Sequence, residues 1–152
     1  MEKWFLRWRL SGTQYTPEKG WDENKLDFFR RHIVQLGRSG LFVVYDELVG
    51  KEPVEWNYLL HTVELPMEVA EEKDGLRILG KNKADGVSIA HLFSSQKMTY
   101  AQTDTFFVAA VDWKKRLGKT LSNHYHFTAT TASCSKICFL NVIDVHGNNR
   151  AD

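Results

Sequence analysis

Two histidines separated by a single residue are the first candidates for chemistry in this chain. His124 and His126 stand in the segment NHYHF, and alternate residues of a β-strand project from the same face, as metal-binding pairs often do. A third ligand, His61 or Asp46, would have to come from another strand. The pattern fits better with a polar sheet face whose alternating aromatic neighbours face a core. We therefore predict no metal and no cofactor, with His124 and His126 as the residues that would bind a metal.

Aromatic side chains offer a second chemistry, because flat rings stack on sugars while nearby polar groups bond the hydroxyls. The chain has five tryptophans and five tyrosines. The predicted carbohydrate-binding residues are Trp113, Lys114, Lys115, Arg116, Trp56 and Tyr58. Aromatic residues also favour strands and cores, so core packing is the favoured interpretation of Trp56 and Tyr58. Trp113, in a basic loop, fits either role equally well.

No local motif nominates a catalytic residue. The chain contains no G-x-S-x-G elbow, no phosphate-binding glycine loop and no H-E-x-x-H pair. Asp46 and Glu47 are adjacent, so in a strand they point to opposite faces and cannot act as a paired acid and base. Cys134 and Cys138 would lie about 13 Å apart in one extended strand, which is too far for a disulfide. We expect two free, buried thiols.

Composition and charge narrow the class of protein. The 152 residues fit one domain, and 20 basic against 19 acidic residues give a net charge of +1. The charges alternate in sign along the chain, so nucleic acid is not implied, whereas an acidic polysaccharide is compatible. The sequence contains no run of about eighteen apolar residues, so it predicts no membrane span. The segment MEKWFLRWRL has arginines inside its apolar stretch, so we do not expect a signal peptide.

Short β-branched and aromatic segments separated by turn signals predict an all-β protein, an antiparallel β-sandwich of about eight or nine strands. The segment KLDFFRRHIVQL fits a strand or a short helix, with a strand favoured for its second half. The stretch from Leu41 to Thr62 is predicted to be an antiparallel hairpin, with VGKEP as its turn. We expect a single sandwich domain over residues 1–152.

Three longer segments together resemble a known family: RRHIVQLGRSGLFVVYDELVGKEPVEWNYLLHT, VSIAHLFSSQKMTYAQTDTFF and HYHFTATTASCSKICFLNVIDV. In that order they resemble the later, C-terminal part of the β-sandwich region of heparinase II/III-like polysaccharide lyases, from about Arg30 to Val145. The family's complete enzymes pair an α/α toroid with this sandwich and cleave uronic-acid polysaccharides by β-elimination. The resemblance places the sandwich's catalytic histidine and metal ligands before the matched region, so it carries no catalytic residue over to this chain.

The resemblance implies the β-sandwich portion of such a lyase, in a supporting or carbohydrate-binding role and without a complete active site. It also implies a missing lyase domain or a second copy as partner, and a location in the periplasm or outside the cell. One alternative is a free-standing module that binds acidic polysaccharides through Trp113 and the three basic residues after it. Another is a small β-eliminating lyase that uses His124, Tyr125 and His126 as its acid and base.

Overall fold

All regular structure in the described part of the chain is β-strand. The computed structural model describes residues 5–9, 26–37, 40–63, 65–104 and 124–147. The strands in these ranges are β1 (Phe5–Arg9), β2 (Leu26–Leu36), β3 (Leu41–Val54), β4 (Asn57–Val63), β5 (Glu68–Glu72), β6 (Gly75–Lys81), β7 (Gly86–Ser94), β8 (Met98–Thr103), β9 (His124–Thr131) and β10 (Cys134–Gly147). The all-β prediction is confirmed, and the segment that fitted strand or helix is strand throughout β2. Within these ranges no helix is long and apolar enough to cross a membrane.

The strands form two antiparallel sheets. The larger has seven strands in the order β1-β2-β3-β10-β7-β6-β5, and the smaller has three in the order β4-β9-β8. The long strands β3 and β10 lie at the centre of the larger sheet and pair over most of their length. The register shifts at two places: between Leu26 and Phe28 where β2 pairs with β3, and between Cys134 and Lys136 where β10 pairs with β3. Since the two sheets share one hydrophobic core, the predicted sandwich architecture is confirmed.

The predicted hairpin from Leu41 to Thr62 is wrong. β3 continues to Val54, so the segment VGKEP extends the strand instead of turning the chain. β3 pairs with β2 and β10, whereas β4 pairs with β9. The chain therefore crosses from the larger sheet to the smaller between these strands. The crossing buries Trp56 and Tyr58 between the sheets, where burial of aromatic surface stabilises the fold.

The core fills the space between the inner faces of the two sheets. Phe127, Leu92 and Ile137 are fully buried, and each comes from a different strand. Alternation along β6 buries Leu76 and Ile78 while their neighbours stay partly exposed. Each such apolar side chain contributes about 1.5–3 kcal/mol when it is removed from water. The inner faces are therefore occupied by packing, and any contact with a ligand falls to the outer faces and the edges.

One glycine holds the turn between β2 and β3 against the centre of the larger sheet. Gly40 has a φ of 76°, in the left-handed region that glycine adopts without a steric cost. Its carbonyl oxygen accepts a hydrogen bond of 3.0 Å from the backbone N–H of Val145. A Cβ at this position would collide with the carbonyl oxygen of Val145. We expect any side chain at Gly40 to displace the turn.

Candidate functional site

An ion pair with a buried carboxylate joins β2 to β3 on the inner side of the larger sheet. Arg31 lies directly opposite Asp46, and its Nε and Nη2 atoms donate to the two carboxylate oxygens at 2.7 Å each. Asp46 is only 2% exposed, whereas the Arg31 side chain keeps 40% of its surface in contact with solvent. The hydrogen bonds to Asp46 raise the pKa of Arg31 above its usual value. Both oxygens of Asp46 are engaged, so this carboxylate is not available as the third metal ligand considered from the sequence.

A second buried polar contact links the two sheets. Asn141, fully buried on β10, donates from Nδ2 to the hydroxyl oxygen of Tyr58 on β4 at 3.0 Å. Burial is the main cause that raises the pKa of Tyr58, and the charge of Asp46 adds to it. The Tyr58 phenol therefore stays protonated at neutral pH. Because this tyrosine is 7% exposed and bonded to Asn141, its role in the described structure is to hold the sheets together.

The predicted sugar-stacking residue Trp56 also lies in the core. It is 8% exposed, and its indole Nε1–H donates to the carbonyl oxygen of Cys134 at 2.8 Å. The core interpretation of Trp56 and Tyr58 is confirmed, and neither presents an open ring face to a sugar. Trp113 and its basic neighbours, residues 114–116, lie outside the described residues, so their carbohydrate-binding role stays a prediction. Cys134 and Cys138 are both free thiols, as expected, but the prediction that they are buried is wrong, because each is only partly buried.

Histidines gather on the outer face of the smaller sheet. The register of β4 and β9 places His61 directly opposite His126, and Val63 opposite His124. The rings of His61 and His126 meet edge to face, with centroids 4.5 Å apart and an interplanar angle of 88°. Residues 125 and 127 project to the other side, where Phe127 is fully buried. The predicted arrangement of a polar face opposite a core face is confirmed.

The histidines influence each other electrostatically. The main cause that lowers the pKa of His61 is partial burial. The nearby His126 and His124 lower this pKa further, because positive charges on neighbouring rings repel each other. This imidazole therefore stays neutral at neutral pH. Among the described residues, no group of three potential ligands is placed to hold a metal ion. The structure brings His61 to His126 but leaves Asp46 on the far side of the core.

Hydroxyl and amide groups extend this outer face beyond the histidines. The Thr130 hydroxyl donates to Asn57 Oδ1 at 2.7 Å, and the Thr99 hydroxyl reaches the carbonyl oxygen of Thr130 at 3.4 Å. Leu59 lies between this group and His61 and is 55% exposed. The outer face thus combines hydrogen-bonding groups with one apolar contact on a sheet of three strands. We call this surface, defined by Asn57, Leu59, His61, Thr99, His124, His126 and Thr130, the histidine face.

The other three histidines lie on the larger sheet, and each is close to a carboxylate. His91 Nδ1 is 3.1 Å from Glu72, His146 Nδ1 is 3.7 Å from Asp144, and His32 Nε2 is 3.8 Å from Glu47. These histidines therefore sit in a different electrostatic setting from those of the histidine face.

Sequence reasoning did not identify the pairs Arg31–Asp46 and Tyr58–Asn141. The first pair joins residues 15 apart and the second joins residues 83 apart. The sequence signal for the first pair is weak: one predicted strand has a cationic residue, in RRH, and the next has an acidic residue, in YDE. No local pattern signals the second.

The sequence matches no protein-family model and no curated protein at a significant level. Solved structures do match the fold. A heparinase III with methylated lysines is 14% identical with a TM-score of 0.54, over 82% of this chain and 18% of that chain. A mutant heparan sulfate lyase HepC from Pedobacter heparinus is 11% identical with a TM-score of 0.54, over 85% of this chain and 19% of that chain. The unmutated HepC is 12% identical with a TM-score of 0.52.

These similarities establish the fold, since the identities are low. The chain spans less than a fifth of the length of the lyases that it matches. The predicted resemblance to part of the heparinase II/III-like lyases is confirmed at the level of the fold.

Proposed function

We propose that this chain is the β-sandwich portion of a polysaccharide-lyase-related protein and has a carbohydrate-binding, supporting role. The observation that carries the proposal is the fold similarity to heparinase III and heparan sulfate lyase HepC over more than four fifths of this chain. Both of those proteins are named for acidic polysaccharides. The ligand class proposed for this chain is therefore an acidic polysaccharide.

The histidine face is the described surface that best suits such a ligand. Sugar hydroxyls need donors and acceptors, which Asn57, Thr99 and Thr130 supply. Leu59, 55% exposed, offers an apolar contact for the hydrophobic side of a sugar ring. Imidazole gains a positive charge when it is protonated, so binding of carboxylate or sulfate groups to this face should strengthen as the pH falls.

The described residues do not assemble the acid and base that a small lyase would need. β-Elimination requires a base, a group that stabilises the developing enolate and an acid for the leaving oxygen. Tyr125 packs against the core, whereas His124 and His126 point outward, so the three do not form one catalytic group. Tyr58 is buried with a raised pKa and is bonded to Asn141. We accordingly propose binding and support, not catalysis, as the contribution of these residues.

The proposal is tested by affinity electrophoresis of the chain through gels that contain heparan sulfate, alginate, hyaluronan or a neutral glucan, all with a chelator. We expect retardation in at least one acidic polymer and free migration in the neutral glucan. Unchanged mobility in every gel would contradict a binding role.

The Trp113→Ala variant, run beside the parent chain, distinguishes the two predicted binding regions. Loss of retardation in this variant would assign binding to residues 113–116. Preserved retardation would favour the histidine face, which lies elsewhere in the sequence.

A further inference from the structure

The cross-strand pair of His61 and His126 has the geometry of a two-ligand chelate. The residues are direct partners in the β4–β9 register, and directly opposite residues have Cβ atoms about 4.5–5.5 Å apart. The ring centroids are 4.5 Å apart. Imidazole nitrogens bind a transition metal at about 2.0–2.1 Å, so two ligands of one ion lie roughly 3 Å from each other. The χ2 torsion of histidine has no narrow preferred value, so rotation about χ2 of either side chain can bring one nitrogen of each ring to this separation.

Imidazole binds a metal through a neutral nitrogen, so protons compete with the metal for this pair. His124 lies two residues from His126 on the same strand, and Thr103 is the β8 residue opposite His126, followed by Asp104. These are the groups next to the pair from each strand of the small sheet.

We propose that His61 and the half-buried His126 form a site for one divalent transition metal ion. Imidazole suits Cu²⁺, Ni²⁺ and Zn²⁺, whereas Ca²⁺ and Mg²⁺ require oxygen ligands. Two protein ligands leave the remaining positions to water, in keeping with the lack of a three-ligand group among the described residues. Affinity follows the general order for nitrogen sites, with Cu²⁺ bound more tightly than Ni²⁺ or Zn²⁺. The pair lies on the histidine face, but metal binding is measured without polysaccharide, so the two proposals can fail separately.

The test is isothermal titration calorimetry of the full chain with Ni²⁺, in metal-free buffer near neutral pH and without polysaccharide. The variants are His61→Gln, His126→Gln, His124→Gln and His91→Gln. His91→Gln is the matched control, because it removes an imidazole that is close to Glu72 on the larger sheet. We expect a loss of at least about tenfold in affinity for the first two variants, and less than about threefold for the others.

Electron paramagnetic resonance of bound Cu²⁺ gives a second readout, which does not depend on affinity. The parent chain should show superhyperfine coupling to two nitrogens, and His61→Gln should reduce it. Unchanged Ni²⁺ affinity in His61→Gln would overturn the proposal. An equal loss of affinity in His91→Gln or in His124→Gln would overturn the assignment to the His61–His126 pair.

Discussion

The two faces of the three-stranded sheet are made from the same strands but serve opposite purposes. On the inner face, Phe127 is fully buried and Tyr58 is hydrogen-bonded to Asn141 of the other sheet. On the outer face, His61 meets His126 and Leu59 is 55% exposed. Successive residues of a strand point to opposite faces, so two neighbouring residues belong to different faces. The lesson is that substitutions one residue apart on this sheet should differ: those on the inner face should mainly change stability, and those on the outer face should mainly change binding.

The largest contrast is expected between Phe127→Ala and Thr128→Ala. Removal of the fully buried ring should lower the free energy of unfolding by about 3–5 kcal/mol, since it leaves a cavity between the sheets. Thr128 faces the other way, and its truncation should change the free energy of unfolding by less than about 0.5 kcal/mol. Urea denaturation monitored by tryptophan fluorescence measures both. Comparable losses in the two variants would break the distinction between the faces.

The ion pair predicts an asymmetry between its two partners. Arg31→Met leaves the buried carboxylate of Asp46 without its partner, and we expect a loss of about 3–5 kcal/mol in the free energy of unfolding. Asp46→Asn leaves a guanidinium whose side chain is 40% exposed and can turn to water, so a loss of about 1–3 kcal/mol is expected. Chemical denaturation of both variants checks the order. A larger loss for Asp46→Asn would contradict it.

A smaller effect is expected from the indole hydrogen bond of Trp56. Trp56→Phe keeps most of the buried aromatic surface but removes the donor to the carbonyl oxygen of Cys134. The free energy of unfolding should fall by roughly 1–2 kcal/mol, the cost of a lost hydrogen bond and a smaller ring. Thermal unfolding followed by circular dichroism provides the measurement. Full stability in this variant would show that the bond contributes nothing net.

The smallest effect concerns pH. The pKa of His61 is lower in the folded chain than the ordinary value near 6.5, so the unfolded chain binds more protons in the window between the two values. Stability therefore rises with pH through that window and falls as the solution is acidified. His61→Gln should flatten this dependence, as measured by urea midpoints at about pH 5 and pH 7.5. An unchanged slope would contradict the interaction among the three histidines.

The sequence was sufficient for the fold class, the strand alternation in β9 and the core position of Trp56 and Tyr58. These features depend on local periodicity and composition, which adjacent residues carry. The crossing between β3 and β4 was not predicted, because consecutive strands usually pair and nothing local marks the change of sheet. The contacts of Asn141 with Tyr58, and of His61 with His126, depend on pairings between distant segments. Such pairings are set by the packing of the whole sandwich.

The central claim, that the histidine face binds an acidic polysaccharide, is tested most directly by reversing charge on it. His61→Glu and the control His91→Glu should be compared with the parent chain by affinity electrophoresis in heparan sulfate, with a chelator and at about pH 5.5, because imidazole gains positive charge as the pH falls. The account predicts that the parent chain and His91→Glu are retarded and that His61→Glu migrates freely. Equal retardation of all three proteins, or loss of retardation only in His91→Glu, would contradict it.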